Sequence, residues 1–296
     1  KPESLFRITF RRFTHHRMAV FGVLLLTAVV MYCVVGAFFV SESEANKVDV
    51  TRRFEAPGAE HLLGTDEVGR DVFARTIYGG QISLMIGITS VLISITLGTV
   101  VGLVAGYFGG WVDAILMRVV EALLAIPTLI LLLILQRVLI GNTSTINVLG
   151  RELSVTVVAI VVIIGVTGWM GLSRIVRSLV LSLKEQEFVL AARTLGASSR
   201  RIIFMHILPN TIAPIVVSAT LAVGGAIVIE TALGFLGFGV QPPTATWGNI
   251  LSRARDQIDE VWWLWMAPGV LIMLTVLAIN FIGDGLRDAF DPRSKQ

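Results

Sequence analysis

Residues 191–209 read AARTLGASSRRIIFMHILP, a basic, half-apolar stretch between two long apolar runs, Leu153 to Leu172 and Ile212 to Ile229. Neither run carries a charged residue. A helix needs about 20 such residues to cross a hydrocarbon layer of roughly 30 Å, where its backbone polar groups find partners only within the helix. The stretch is therefore expected to join two membrane-crossing helices at one face of the bilayer. Its own pattern predicts a helix from Gln186 to Leu195, with Phe188, Ala191, Ala192 and Leu195 on one face. Gly196 is placed to take the left-handed conformation just past that helix. Ser198 or Ser199 can cap a second short helix running toward His206. Two short helices at an angle would offer an alanine-lined shoulder to a groove in another protein. The same residues would equally make an amphipathic helix lying on the membrane.

Six apolar segments qualify as spans: Met18 to Val40, Ile82 to Tyr107, Ala114 to Leu135, Leu153 to Leu172, Ile212 to Ile229 and Trp263 to Ile282. The chain of 296 residues is 54% hydrophobic and 15% charged, with a mean hydropathy of +0.79. Those values exclude an ordinary soluble domain. The first segment is too long for a secretory leader and has no small-residue cleavage site, so it is expected to be a retained helix. With six spans and both termini inside, 15 of the 24 Lys and Arg residues fall on inner segments; five of the outer nine lie in one long loop, residues 41–80. The single cysteine, Cys33, excludes an intrachain disulfide and thiolate metal clusters.

Several local features add detail. Phe6, Phe10 and Phe13 recur at helical spacing beside Arg7, Arg11 and Arg12, the pattern of a helix lying at the membrane surface or of a basic tail that fixes orientation. In HLLGTDEVGRDVFARTIYGG (61–80), Asp66, Glu67, Arg70 and Asp71 are positioned for local ion pairs. Gly98, Gly102 and Gly106 form a small-residue stripe suited to close packing inside the subunit or to a dimer seam. Pro127 should kink the third span, and Arg118 can pair with Glu121. Residues 136–152 read as an outer loop, with Asn142-Thr143-Ser144 a chance glycosylation triplet. Glu230 lies roughly 27 Å along the helix from Ile212, at the far interface, where a carboxylate costs little. Thr231 to Gly239 is too short to cross and is expected to be a re-entrant or pore-capping segment, or an interfacial loop. Trp262, Trp263 and Trp265 suggest an aromatic belt.

The 191–209 stretch resembles the cytoplasmic coupling motif of ATP-binding-cassette importer permeases: Glu-Ala-Ala, three residues, Gly, nine residues, Ile, one residue, Leu-Pro. Ala191, Ala192, Gly196, Leu208 and Pro209 fall in register, while Leu190 replaces the acidic residue and His206 the isoleucine. Gly64, Thr65, Asp66, Gly69, Arg70 and Asp71 match the Gly-Thr-Asp, two residues, Gly-Arg-Asp pattern of permeases for dipeptides, oligopeptides, nickel and glutathione. Ala105 to Pro127, ALGFLGFGVQPPTATWG (232–248) and Leu274 to Pro292 are similar to the same family, so the resemblance spans Leu62 to Pro292.

The resemblance implies an all-α integral membrane protein with the six-helix architecture of type I importer permeases, an N-terminal interfacial helix and a cytoplasmic coupling helix. The expected organisation is a cytoplasmic tail (1–17), first span (18–40), extracytoplasmic loop (41–80), five-helix transport domain (81–283) containing a coupling segment (184–210), and a cytoplasmic tail (284–296). Glu187, Phe188, Ala191, Ala192, Arg193, Leu195, Gly196, Leu208 and Pro209 are the expected contacts to an ATPase. Glu230, Phe235, Phe238 and Asn280 are the expected lining of the translocation path or its gate. Expected partners are a second homologous permease, one or two cytoplasmic ATPases carrying ATP and Mg, an extracytoplasmic substrate-binding protein, a peptide substrate and membrane lipid, with no nucleic acid, in the bacterial inner membrane. Nickel or glutathione are alternative cargoes, and an ATP-independent channel or ion-coupled carrier is the alternative of another class. The chain has no Gly-x-x-x-x-Gly-Lys loop, no zinc-protease helix and no serine elbow, so no catalysis is expected on it and no metal or cofactor is expected to bind.

Overall fold

The computed structural model describes residues 5–139, 144–148 and 151–291. A short helix α1 (Leu5–His15) leads into α2 (Arg17–Phe39), the first span. His16 separates them and caps α2, its Nδ1 accepting from the Ala19 amide at 3.1 Å. The chain then forms α3 (Glu42–Asn46) and a 3-10 turn at Val50–Arg52 before α4 (Val72–Phe108), a 37-residue helix about 55 Å long. The expected third span is two helices, α5 (Gly110–Leu124) and α6 (Thr128–Leu139), bent by 79°. Pro127 thus breaks the span outright instead of kinking it, because the helix has already ended at Ala125.

Where a plain outer loop was expected, β1 (Thr145–Val148) pairs antiparallel with β2 (Arg151–Ser154), a local exception to the all-helical plan. Asn142 and Thr143 lie outside the described residues. Next come α7 (Val155–Leu183), α8 (Glu187–Thr194), α9 (Ser199–Ile202), a π-helical turn (Ile203–Ile207) and α10 (Leu208–Phe235). The short α11 (Trp247–Arg253) and the final span α12 (Trp262–Phe290) complete the chain. Among the described residues, five helices are long and apolar enough to cross a membrane, six if the bent α5–α6 pair counts as one span. The protein is a multi-pass membrane protein.

The helix α4 starts at Val72, within the stretch expected to be the extracytoplasmic loop, because Asp71 caps it: its Oδ1 accepts from the Ala74 amide at 2.7 Å. The last helix runs to Phe290, so most of the expected C-terminal tail is helical; residues 292–296 lie outside the described part.

The tightest packing is between α4 and α7. A Cβ placed on Gly98, Gly102 or Gly106 would come within 2.9 Å of the carbonyl oxygens of Trp169, Ser173 and Arg177 respectively. The stripe is therefore an intrasubunit seam, where missing side chains let Val176 and Val180 bury completely. Ser94 Oγ donates to the Gly165 carbonyl at 2.9 Å across the same seam. The first span packs on α12, where Gly22 faces the Ala278 carbonyl. The helix α1 lies against the end of α12: Arg12 donates to the Asp291 carbonyl at 2.9 Å and His16 Nε2 lies 3.3 Å from Asp288.

Candidate functional site

Two ends of the bundle carry the polar chemistry. At the end where α4 stops and α7 stops, marked by the 3.1 Å contact from Lys184 Nζ to the Gly106 carbonyl, the chain folds into the segment 187–209. Val189 is fully buried and plugs α8 into a cluster with Val180, Ile202 and Ile207. The helix ends as a glycine-terminated turn should: the Gly196 amide donates to the Arg193 carbonyl and the Ala197 amide to the Ala192 carbonyl, both at 3.0 Å. Gly196 has φ +79°, and nothing lies within 4 Å of the Cβ it lacks. Ser198 caps α9, accepting from the Arg201 amide at 3.4 Å.

This arrangement turns the remaining apolar side chains outward. Leu195 is 88% exposed and Phe188 43%. Glu187, Ala191, Arg193 and Gly196 share the exposed side, and Ala192 is half-buried. Leu208 and Pro209 belong instead to the first turn of α10, where Leu208 packs against the cluster around Val189. The Phe188 ring lies 6.4 Å from His206, which joins α8 to the π-helical turn. Phe204 and Met205 on that turn are also exposed, extending the apolar surface. Their exposure was not legible in the sequence, because a π-helical turn rotates the side chains that follow away from the positions a 3.6-residue repeat assigns.

At the opposite end, the loop before α4 is a dense ion-pair network. Asp66 binds Arg70 Nε at 2.7 Å and lies 3.8 Å from Arg75 Nε, all three side chains being buried. Glu67 pairs with Arg70 and with Arg253, which ties the loop to α11. Burial holds the Arg253 guanidinium below the usual arginine range, with Asp66 acting in the other direction. Asp71 Oδ2 meets His61 Nδ1 at 2.7 Å. Gly69, at φ +79°, brings the turn so close to Asp49 that a Cβ would sit 1.7 Å from its carbonyl oxygen. The expected local ion pairs thus extend across the sequence to residue 253.

The expected path residues do not converge. Glu230 is fully buried, and one of its carboxyl oxygens accepts from Ser83 Oγ at 3.0 Å. Ser83 Oγ in turn accepts from the Trp247 amide at 3.2 Å. Glu230 is therefore an internal tie between α4, α10 and α11, enclosed by protein where an exposed interfacial carboxylate was expected. Phe238 is half-buried against the core around Leu233, while Phe235 and Asn280 are exposed on different helices. The expected re-entrant segment, Thr231 to Gly239, is not a separate element. The helix α10 continues to Phe235, and α11 is the piece that turns back inward, burying Trp247 completely. Its Nε1 donates to the Thr76 carbonyl at 3.0 Å, and Thr246 and Asn249 close a reciprocal cap at its start. The tryptophan belt is likewise split: Trp262 and Trp265 are exposed, but Trp263 is 7% exposed and donates to the Thr65 carbonyl at 3.2 Å.

With this geometry in place, comparison with known proteins assigns the family. Residues 98–296 match the model of the binding-protein-dependent transport system inner membrane component, and residues 4–57 match the N-terminal transmembrane domain of oligopeptide transport permease C. The chain belongs to the binding-protein-dependent transport permeases. It is 43% identical over 286 residues to a putative peptide permease protein of Brucella suis, covering 96% of this chain and 90% of that one. It is 40% identical over 293 residues to the dipeptide transport system permease protein DppC of Alkalihalophilus pseudofirmus, covering 99% and 91%. A putative peptide transport system permease protein of Brucella abortus is 42% identical over 289 residues, covering 97% and 92%. The family is one of transport permeases, not of enzymes, and the exposed 187–196 surface of this permease lies inside the matched region.

Proposed function

We propose that this permease is one of two membrane subunits of an ATP-driven importer of di- and oligopeptides, set in a bacterial inner membrane with both termini in the cytoplasm. The observation that carries the reading is the exposed surface of Phe188, Ala191 and Leu195, mounted on the buried Val189 and closed by the Gly196 turn. The residues of that surface fit the groove of a partner: a few apolar anchors supply affinity and the flanking Glu187, Arg193 and Arg200 supply orientation. The similarity to peptide and dipeptide permeases supports the cargo. The chain has no Gly-Lys dipeptide and so no phosphate loop of its own. ATP and Mg belong on one or two cytoplasmic ATPase partners, and cargo arrives from an extracytoplasmic binding protein.

Mechanically, force on α8 passes two ways. Val189 packs on Val180 of α7, and the π-helical turn joins α9 directly to α10. A partner that grips α8 differently in its ATP-bound and ATP-free states would bias these two spans between two packed arrangements. The test is purification from native membranes followed by reconstitution. Recovery of an ATPase and a second permease, with peptide uptake only when ATP is supplied, is the expected result. Solute movement by this chain alone in liposomes would overturn the proposal.

A further inference from the structure

The helix α5 leaves most of its surface uncovered. Along α5 only Val120 is buried. Between α5 and α7 opens a cleft of about 520 Å³, lined by Met117, Val120, Glu121, Gly171, Arg174 and Ser178 among others. That volume suits a short peptide or part of one. Its charges are unevenly used. Arg177 is neutralised by a two-pronged pair with Asp113. Arg174, on the same wall, is exposed and makes no hydrogen bond or ion pair with any described residue. Glu121 lines the same cleft from α5, in an exposed 3.4 Å contact with Arg118 and within electrostatic reach of Arg177.

Arg174 lies about 14 Å along α7 from Leu183, so the cleft occupies the half of the bundle nearer the 187–196 surface. Ionisable side chains exposed on otherwise apolar spans face water or a protein partner in preference to acyl chains. A surface for anionic lipid would not place a carboxylate opposite its arginine. A zwitterionic molecule needs both.

We propose that the α5–α7 cleft is the exit-side transit site for the charged ends of a peptide, Arg174 receiving the terminal carboxylate and Glu121 the terminal ammonium. Arg174 suits this role because a guanidinium presents a planar fork to a carboxylate. The site replaces Glu230, which is sealed inside the protein, as the charged group on the path. The inference rests on the reading of the cargo as peptide.

The experiment uses the complete transporter, purified with its partner subunits and reconstituted. Uptake of one tripeptide is measured with a free or an amidated C-terminus, and each variant is divided by wild type for the same peptide, which cancels selection by the binding protein. Arg174→Ala should lower kcat/KM for the free-carboxylate peptide about tenfold or more, and change the amidated peptide by less than about twofold. Arg174→Lys should recover part of the loss. Glu121→Gln should discriminate in the same way between free and N-acetylated peptides. In a second measurement, Gly171→Cys, which has open space around it, is labelled with a membrane-impermeant thiol reagent during turnover; the free tripeptide should slow labelling. Equal losses for free and amidated peptides, no loss at all, or labelling that responds to anionic lipid but not to peptide would overturn the site. A wild-type transporter that moves no peptide would instead overturn the cargo reading, so the two failures are distinguishable.

Discussion

Gly196→Ala tests the coupling surface most directly. At φ +79° an L-residue crowds its Cβ against the following carbonyl, at a cost of about 1–2 kcal/mol, and the empty space around the position means that no side-chain clash adds to it. The cost falls on one turn, the one closed by the Gly196 and Ala197 amides. A change of 1–2 kcal/mol corresponds to roughly a 5–30-fold rise in the fraction of time the turn is open. Hydrogen exchange at the Ala197 amide should accelerate by about that factor in Gly196→Ala, while amides in the middle of α7 remain unchanged. Gly196→Asn, a residue that tolerates the left-handed region, should lie much closer to wild type. Peptide uptake per ATP should fall in the same order, Gly then Asn then Ala. Unchanged exchange at Ala197 in the alanine variant, or an asparagine variant as impaired as alanine, would refute the account.

Three further outcomes follow from burial and packing. Leu195→Asp, at a position 88% exposed, should change thermal stability by less than about 0.5 kcal/mol yet abolish ATP-dependent uptake; retained uptake would remove Leu195 from the docking surface. Gly102→Val places branched atoms where Val176 Cβ already lies 2.6 Å from the missing Cβ, and overpacking of about 1–3 kcal/mol or more should appear as a lower unfolding temperature in detergent. Glu230→Ala removes the acceptor for the buried Ser83 hydroxyl and should cost about 1–3 kcal/mol, whereas Glu230→Gln keeps an acceptor oxygen of the same shape and should stay near wild type in the same melting assay; equal losses would show that a full carboxylate is required.

The membrane class, the approximate positions of the spans and the helix–turn–helix from 187 to 202 are written in the order of residues along the chain. Each depends on interactions within a few residues. Backbone pairing in hydrocarbon forces long apolar helices, and a glycine after a helix, followed by a serine, closes one turn and opens the next. The small-residue stripe was legible for a similar reason, since residues 98, 102 and 106 share a helix face whatever they pack on. Tertiary structure alone decided where the polar groups go. Glu230 lies near an interface when counted along its own helix, but Ser83, 147 residues away in the chain, and the inward turn of α11 enclose it. Trp263 leaves the belt because Thr65, 198 residues distant, offers its carbonyl. The loop network reaches Arg253, and the charged cleft brings together side chains of α5 and α7 that lie about 50 residues apart in the chain. Hydropathy assigns each residue a transfer free energy, but a buried polar atom is stable only with its partner, and that partner is brought by a distant segment that no local pattern names.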